Sequence, residues 1–260
     1  MSPSPAGASW RRFPFDASVE IIAHRGYSAR APENTLAAID AALNAGADAV
    51  EFDLHVTADG VPVLFHDDTL ERTSNGKGRL RDRTLAELGV LDAGGWYGAD
   101  FAGEPIPTLL AVLTHTRGRI VRVYPEIKGT GGARGLARML EAVIQLGLVE
   151  QTVFISMDWT ALEAMRSLNA EVGVGYIVEK ESRARDGIAR AAGDPRALVD
   201  FRASILMDDP ALCDEARHRD VGLAAWTVDD PAEASRLLAL GVPRITTNRV
   251  GDLMTWKASL

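Results

Sequence analysis

Two histidines, three carboxylates, an arginine and a lysine stand in this sequence where apolar runs end. Ile21-Ile22-Ala23 leads directly into His24-Arg25-Gly26, and Pro32-Glu33-Asn34-Thr35 follows shortly after. A histidine exchanges protons near neutral pH. An arginine presents a planar fork to a phosphate or a carboxylate. Alone, this pair would equally suit a surface loop. Three further runs supply partners: Glu51-Phe52-Asp53, His66-Asp67 and Glu126-Ile127-Lys128. In the first and last of these the polar residues lie two apart. On a strand they share one face, with Phe52 and Ile127 on the other.

The elements that must position these residues alternate along the chain. Val19 to Ala23 reads as a strand and Asn34 to Ala45 as a helix, capped by Asn34 or Thr35 and stopped at Gly46. Ala47 to Leu54 reads as strand two. The segments flanking Ala58-Asp59-Gly60 form a β-hairpin. From Asp67 to about Pro105 the chain is polar, with one short helical piece near Leu85, and a connection this long is usually functional. Strands are then expected at Ile120–Ile127, Thr152–Ser156, Val172–Val178, Ser204–Met207, Gly222–Trp226 and Arg244–Thr247, each followed by a helix. Eight strands with eight helices predict a closed (β/α)₈ barrel with a small insertion after strand two. An open doubly wound sheet is the alternative, but no glycine-rich dinucleotide fingerprint supports it. The expected organisation is a flexible leader over 1–19 and one catalytic barrel over 20–260, with the insertion at about 67–105.

Composition narrows the function classes. The chain has 260 residues, 47% of them hydrophobic, and a formal net charge of -8, with no basic run or basic helix. Nucleic acid is therefore not an expected partner, nor is a stable association with an anionic membrane. One cysteine, Cys213, excludes an internal disulfide and a cysteine-cluster metal site, and is expected as a buried thiol. The first 19 residues lack the apolar segment of a signal peptide, so a cytoplasmic location is expected. A homo-oligomer is compatible with the sequence.

In such a barrel the chemistry gathers at the C-terminal ends of the strands. Glu51, Asp53 and Glu126 would then face one another, and unpaired buried carboxylates are costly. A divalent cation resolves this, and oxygen-only ligands favour Mg²⁺ or Ca²⁺, with Mn²⁺ also compatible. An ion-paired mouth without metal is the alternative. With a metal, Arg25 and Lys128 would hold a phosphate, while His24 and His66 would serve as general base and general acid. That set fits phosphodiester hydrolysis. His55, His115 and His218 are expected to be structural.

Taken together the motifs resemble those of the glycerophosphodiester phosphodiesterase family, from about Glu20 to the C-terminal helix. They are His24-Arg25-Gly26 with Pro32-Glu33-Asn34-Thr35, Glu51-Phe52-Asp53 with Thr57-Ala58-Asp59-Gly60, His66-Asp67, Leu70, Arg72-Thr73, and Asn75-Gly76-Lys77-Gly78. Ile106-Pro107-Thr108-Leu109, Glu126-Ile127-Lys128 and Trp226-Thr227-Val228 follow in order. The resemblance implies metal ligation by Glu51, Asp53 and Glu126, acid–base work by His24 and His66, and phosphate contacts from Arg25 and Lys128. It places Trp226 near the substrate, and Glu33 and Asn34 behind the first loop. The chain departs from the commoner family pattern at Tyr124-Pro125, Ser156-Met157, Met207-Asp208 and Thr247-Asn248. These departures bear on the shape of the pocket, and Pro125 is expected to distort its strand locally.

The expected reaction is hydrolysis of a glycerophosphodiester to sn-glycerol 3-phosphate and an alcohol, through a cyclic phosphate, with His24 as the first base. One rival is a lysophospholipase-D-like enzyme, for which Trp96, Tyr97, Phe101 and Trp159 would form an apolar ramp. A cluster of insertion aromatics is, however, more often a small core of its own. The other rival is a non-catalytic binder of glycerophosphodiesters. Residues 181–203 are expected to present a solvated helix face, or to serve as part of a lid or subunit contact.

Overall fold

The computed structural model describes residues 19–260, so the expected leader, apart from its last residue, lies outside the described residues. Among the described residues nine strands form one sheet: β1 (Glu20–Ala23), β2 (Ala49–Val56), β3 (Pro62–Leu64), β4 (Arg122–Ile127), β5 (Val153–Ser156), β6 (Gly173–Val178), β7 (Ala197–Arg202), β8 (Gly222–Trp226) and β9 (Arg244–Thr247). All pairings are parallel except the β2–β3 hairpin. β1 pairs with both β2 and β9, which closes eight strands into a barrel with β3 outside it. Following the ladder once round from Glu126 through Ile155, Gly175 and Leu198 returns to β4 eight residues earlier. This is the stagger of a (β/α)₈ barrel, and it stacks inward side chains in layers of four from alternate strands.

Alternation along each strand separates two cores. The outward residues Ile21, Phe52, Val123, Phe154, Val174, Val199, Leu223 and Ile245 pack under the surrounding helices. The inward set is smaller, with Ile22, Ala49, Tyr124, Val153, Ile155, Leu198 and Ala224 plugging the barrel. Beneath the plug, Glu20 accepts hydrogen bonds from Arg122 Nη1 (2.9 Å) and Tyr124 Oη (3.0 Å), with Arg244 Nε at 3.4 Å. The charged residues at the bottom are thus paired with one another.

The structure corrects one strand. Ser204–Met207 is helical, within Ala203–Asp208, and the strand lies earlier, at Ala197–Arg202. A four-residue apolar run does not distinguish strand from helix by periodicity. The true strand was hidden because Asp200 interrupts its apolar pattern. Pro125 leaves β4 continuous and fully paired with β2, while the ladder to β5 keeps only Glu126↔Ile155, with an isolated bridge Val123↔Thr152 beside it. Loss of one backbone donor accounts for that thinning.

Between β3 and the helix Leu109–Thr116 the chain makes short helical turns, including Leu85–Leu88 with a Thr84–Glu87 capping box. Leu70, Leu80, Leu88 and Ile106 form a small core there with Val63 and Phe65 of the hairpin. Cys213 is buried, as expected. Residues 181–203 form the helical segment Glu181–Ala191 and then β7. No helix among the described residues is long and apolar enough to cross a membrane.

Candidate active site

The loop after β1 is built by backbone geometry that few residues tolerate. Arg25 and Gly26 adopt φ of 54° and 76°, both left-handed. A Cβ on Gly26 would lie 2.6 Å from the carbonyl carbon of Ala38, so only glycine lets the helix Leu36–Asn44 pack here. Arg25 carries its strain in return for contacts. Its backbone N–H donates to Glu51 Oε2 at 2.8 Å, and its side chain reaches Asp53 (3.1 Å) and Glu33 (2.8 Å). Asn34, also left-handed at φ 59°, holds Asp53 from two sides. Its Nδ2 donates to Asp53 Oδ2 at 2.8 Å, and its Oδ1 accepts from the Asp53 N–H at 3.0 Å.

Glu51 and Asp53 on β2 meet Glu126 on β4, all buried, with one carboxylate oxygen from each lying within 4.8 Å of the others. Lys128 Nζ sits 2.7 Å from Glu126 and 3.5 Å from Asp53. Glu51 Oε1 and Asp53 Oδ1 are buried without a hydrogen bond. Burial, then repulsion from Asp53 and Glu126, pushes the Glu51 carboxyl well above the usual range. Burial and Asp53 push Glu126 to about 7. Burial also opposes ionisation of Asp53, but Arg25 and Lys128 outweigh it and hold that carboxyl low. Clustered oxygens with unmet hydrogen-bonding capacity and no nitrogen or sulfur donor among them suit a hard divalent cation, and these three residues could hold one.

The two histidines approach from different elements. His24 directly follows β1, and its Nδ1 lies 2.7 Å from Asn248 Oδ1. Asn248 Nδ2 donates to Asp229 Oδ2 at 2.9 Å, so the amide must turn its oxygen to His24. His24 therefore carries its proton on Nδ1 and bares Nε2, 3.9 Å from Glu51 Oε2. Burial, then the Arg25 charge, depresses this imidazole to about 4. His66, beyond β3, instead sets Nδ1 at 2.6 Å from the Asp67 carboxylate. A forked hydrogen bond from Arg72 lowers Asp67 to about 2. The same guanidinium makes a second fork to Glu33, the partner of Arg25. One arginine thus ties the His66 dyad to the Arg25 loop.

His24, Arg25, Glu51, His66, Glu126 and Lys128 line one cavity of about 270 Å³ at the C-terminal end of the barrel. Trp226 lines it too, with its Nε1 donating to the Asp200 carbonyl at 3.2 Å. Glu33 and Asn34 stand behind it, bonded to Arg25 and Asp53. His115 pairs with Asp40, His218 bonds the Asp214 carbonyl, and His55 bonds the His66 carbonyl from behind. Sequence reasoning did not single out Asp67, Arg72, Asp229, Glu179 or Asp200 as site residues, and flagged Asn248 only as a departure. Asp67 and Arg72 lie inside the motifs His66-Asp67 and Arg72-Thr73. Asp200 sits on the strand that was misplaced.

None of the expected ramp aromatics lines the cavity. Trp96, Tyr97 and Phe101 stack edge to face on one another. Trp159 is buried, donates to the Ile177 carbonyl and lies under the Arg183 guanidinium.

The sequence model of the glycerophosphoryl diester phosphodiesterase family matches residues 24–252. A glycerophosphodiester phosphodiesterase of Caldanaerobacter subterraneus subsp. tengcongensis is 33% identical over 230 residues, covering 88% of this chain and 93% of that one. The solved structure of an Oleispira antarctica phosphodiesterase in complex with the product sn-glycerol-3-phosphate is similar at a TM-score of 0.83 and 30% identity, covering 91% of this chain and 96% of that one. A glycerophosphodiester phosphodiesterase from Agrobacterium tumefaciens is similar at a TM-score of 0.79 and 30% identity, covering 93% and 100% of the two chains.

Proposed function

This chain belongs to the glycerophosphoryl diester phosphodiesterase family, and we propose that it hydrolyses glycerophosphodiesters to sn-glycerol 3-phosphate and an alcohol, with His24 and His66 exchanging the protons. The observation that carries this reading is the different backing of two imidazoles around one cavity. His24 is held neutral with a bare Nε2, and His66 is backed by a carboxylate. The solved relative with sn-glycerol-3-phosphate bound supports the substrate class.

Glu51, Asp53 and Glu126 would hold a divalent cation, which when bound supplies Lewis-acid stabilisation of charge on the phosphoryl oxygens. His24 Nε2 takes the proton of the substrate's glycerol 2-hydroxyl as that oxygen bonds to phosphorus. The bond from phosphorus to the leaving alcohol breaks, and His66 Nε2–H protonates the departing oxygen. Asp67 bonds Nδ1 and fixes the orientation of the His66 ring, as in other histidine–carboxylate pairs. A cyclic phosphate results. Water then opens it with the roles reversed: His66 takes the water proton and His24 returns its proton to the 2-oxygen. Arg25 and Lys128 line the cavity and balance the phosphate charge.

The test is release of sn-glycerol 3-phosphate from glycerophosphocholine with EDTA and with Mg²⁺, Ca²⁺ or Mn²⁺. Release in at least one metal and its loss in EDTA is the expected result. No release in any metal, across head groups and lysolipids, would overturn the reading.

Arg72 gives a second expected result. Arg72→Gln removes both forks at once, loosening His66 through Asp67 and Arg25 through Glu33. A fall in kcat of roughly 10- to 100-fold is expected, the range for groups that orient the residues of a metal site. Unchanged kcat with normal folding would show that the forks do not position the site.

A further inference from the structure

The layers of the barrel place Asp200 opposite Glu51. Glu51, Ile155, Asp200 and Thr246 share one level by strand register, with His24, Glu126, Ile177 and Trp226 on the level above. Asp200 lines the cavity but is not one of the clustered carboxylates. It is 4% exposed. Its Oδ1 is buried without a hydrogen bond, and its carboxyl makes none among the described residues. Burying such a group unsatisfied is expensive, so one that persists in a cavity needs a partner that arrives with the ligand.

We propose that Asp200 is the residue that recognises the terminal hydroxyl of the substrate's glycerol, hydrogen-bonding it from the floor of the cavity. This rests on the glycerophosphodiester reading above. Arg25 and Lys128, the cations for the phosphate, follow His24 and Glu126 toward the mouth, so a group that reaches Asp200 lies deeper than the phosphate. The alcohol that leaves must point outward to depart, which assigns the floor to glycerol. The surroundings fit a small polyol. Thr246 shares the level of Asp200, while Ile177 and Trp226 close over it with apolar surface. Trp226 is tethered to this strand through the Asp200 carbonyl. Burial, then the nearby Glu126, raises the Asp200 carboxyl to about 8. A carboxyl whose protonated form burial favours can both donate and accept, as a hydroxyl does.

The experiment compares glycerophosphocholine with the phosphocholine ester of propane-1,2-diol, which keeps the 2-hydroxyl and lacks the terminal one. Wild type, Asp200→Asn and Asp200→Ala are assayed in saturating metal. Wild type is expected to prefer the glycerol ester by roughly 10- to 100-fold in kcat/KM, because the analogue leaves Asp200 unpaired. The preference should shrink to about 3-fold or less in Asp200→Ala, and Asn should retain part of it. A purely structural role would lower activity on both esters alike, so an undiminished preference in folded Asp200→Ala overturns the assignment. If wild type turns over neither ester, thermal-shift titration with sn-glycerol 3-phosphate and with 1-phosphopropane-2-ol gives the same comparison by binding. Discrimination that Asp200→Ala abolishes then upholds the assignment while the hydrolysis reading fails. Equal binding of the two phosphates by wild type, or binding of neither, overturns it.

Discussion

His24→Ala is expected to lower kcat by roughly 10²- to 10⁴-fold, the range for loss of a positioned general acid or base. His66→Ala should fall in the same range. The double variant should lose little beyond the worse single one, because the proposed mechanism uses the two imidazoles as one proton relay. Near-normal turnover in either folded single variant would remove that histidine from the chemistry. The partner of His24 provides a sharper test. Burial, then the Arg25 charge, depresses this ring to about 4, and Asn248 Oδ1, which accepts from Nδ1, carries no charge to offset them. Asn248→Asp would put a carboxylate there and favour the imidazolium. The His24 pKa then rises. Because the proposed first step needs neutral His24, the acid limb of kcat/KM should move to higher pH. A limb that stays in place would mean that it reports another group.

The difference between what the sequence revealed and what it hid follows from how each signal is encoded. His24, Glu51, Asp53, Glu126 and Lys128 were legible because each sits at or near the end of a barrel strand and alternation fixes its face. The (β/α)₈ fold was legible because strands and helices recur with clear stops. What escaped was pairing across long separations. Arg72 meets Glu33 across 39 positions, and His24 meets Asn248 across 224. Neither distance has a local pattern to betray it. Asp200 escaped for a different reason. An acidic residue inside an apolar run argues against a strand by the usual rule, and the rule failed where the strand supplies a cavity. Local inconsistency of this kind is expected at functional sites.

Without metal, the protein should lose thermal stability as pH rises from about 6.5 to 8. Burial raises the carboxyls of Glu51, Glu126 (to about 7) and Asp200 (to about 8), so the folded state holds protons that the unfolded state has already released. Stability then falls with pH, because ν_U − ν_N is negative. Each such group contributes a slope of at most about 1.4 kcal/mol per pH unit. His24 does not interfere. With its pKa depressed in the fold to about 4 from 6.5, it makes stability rise with pH, but only up to about 6.5. Asp53 and Asp67, both held low, act only at more acid pH. Saturating Mg²⁺ or Ca²⁺ should raise Tm, since an ion that binds only the fold stabilises it by about 2.7 kcal/mol at a hundred times its Kd. The gain should widen with pH, because the ion takes the place of protons on Glu51 and Glu126. Melting curves in EDTA and in metal at pH 6.5, 7.2 and 8 would decide the matter. A gap that does not change with pH would mean that the ion does not displace protons from these carboxylates. Absence of any gap at millimolar metal would take the cation away from the site altogether.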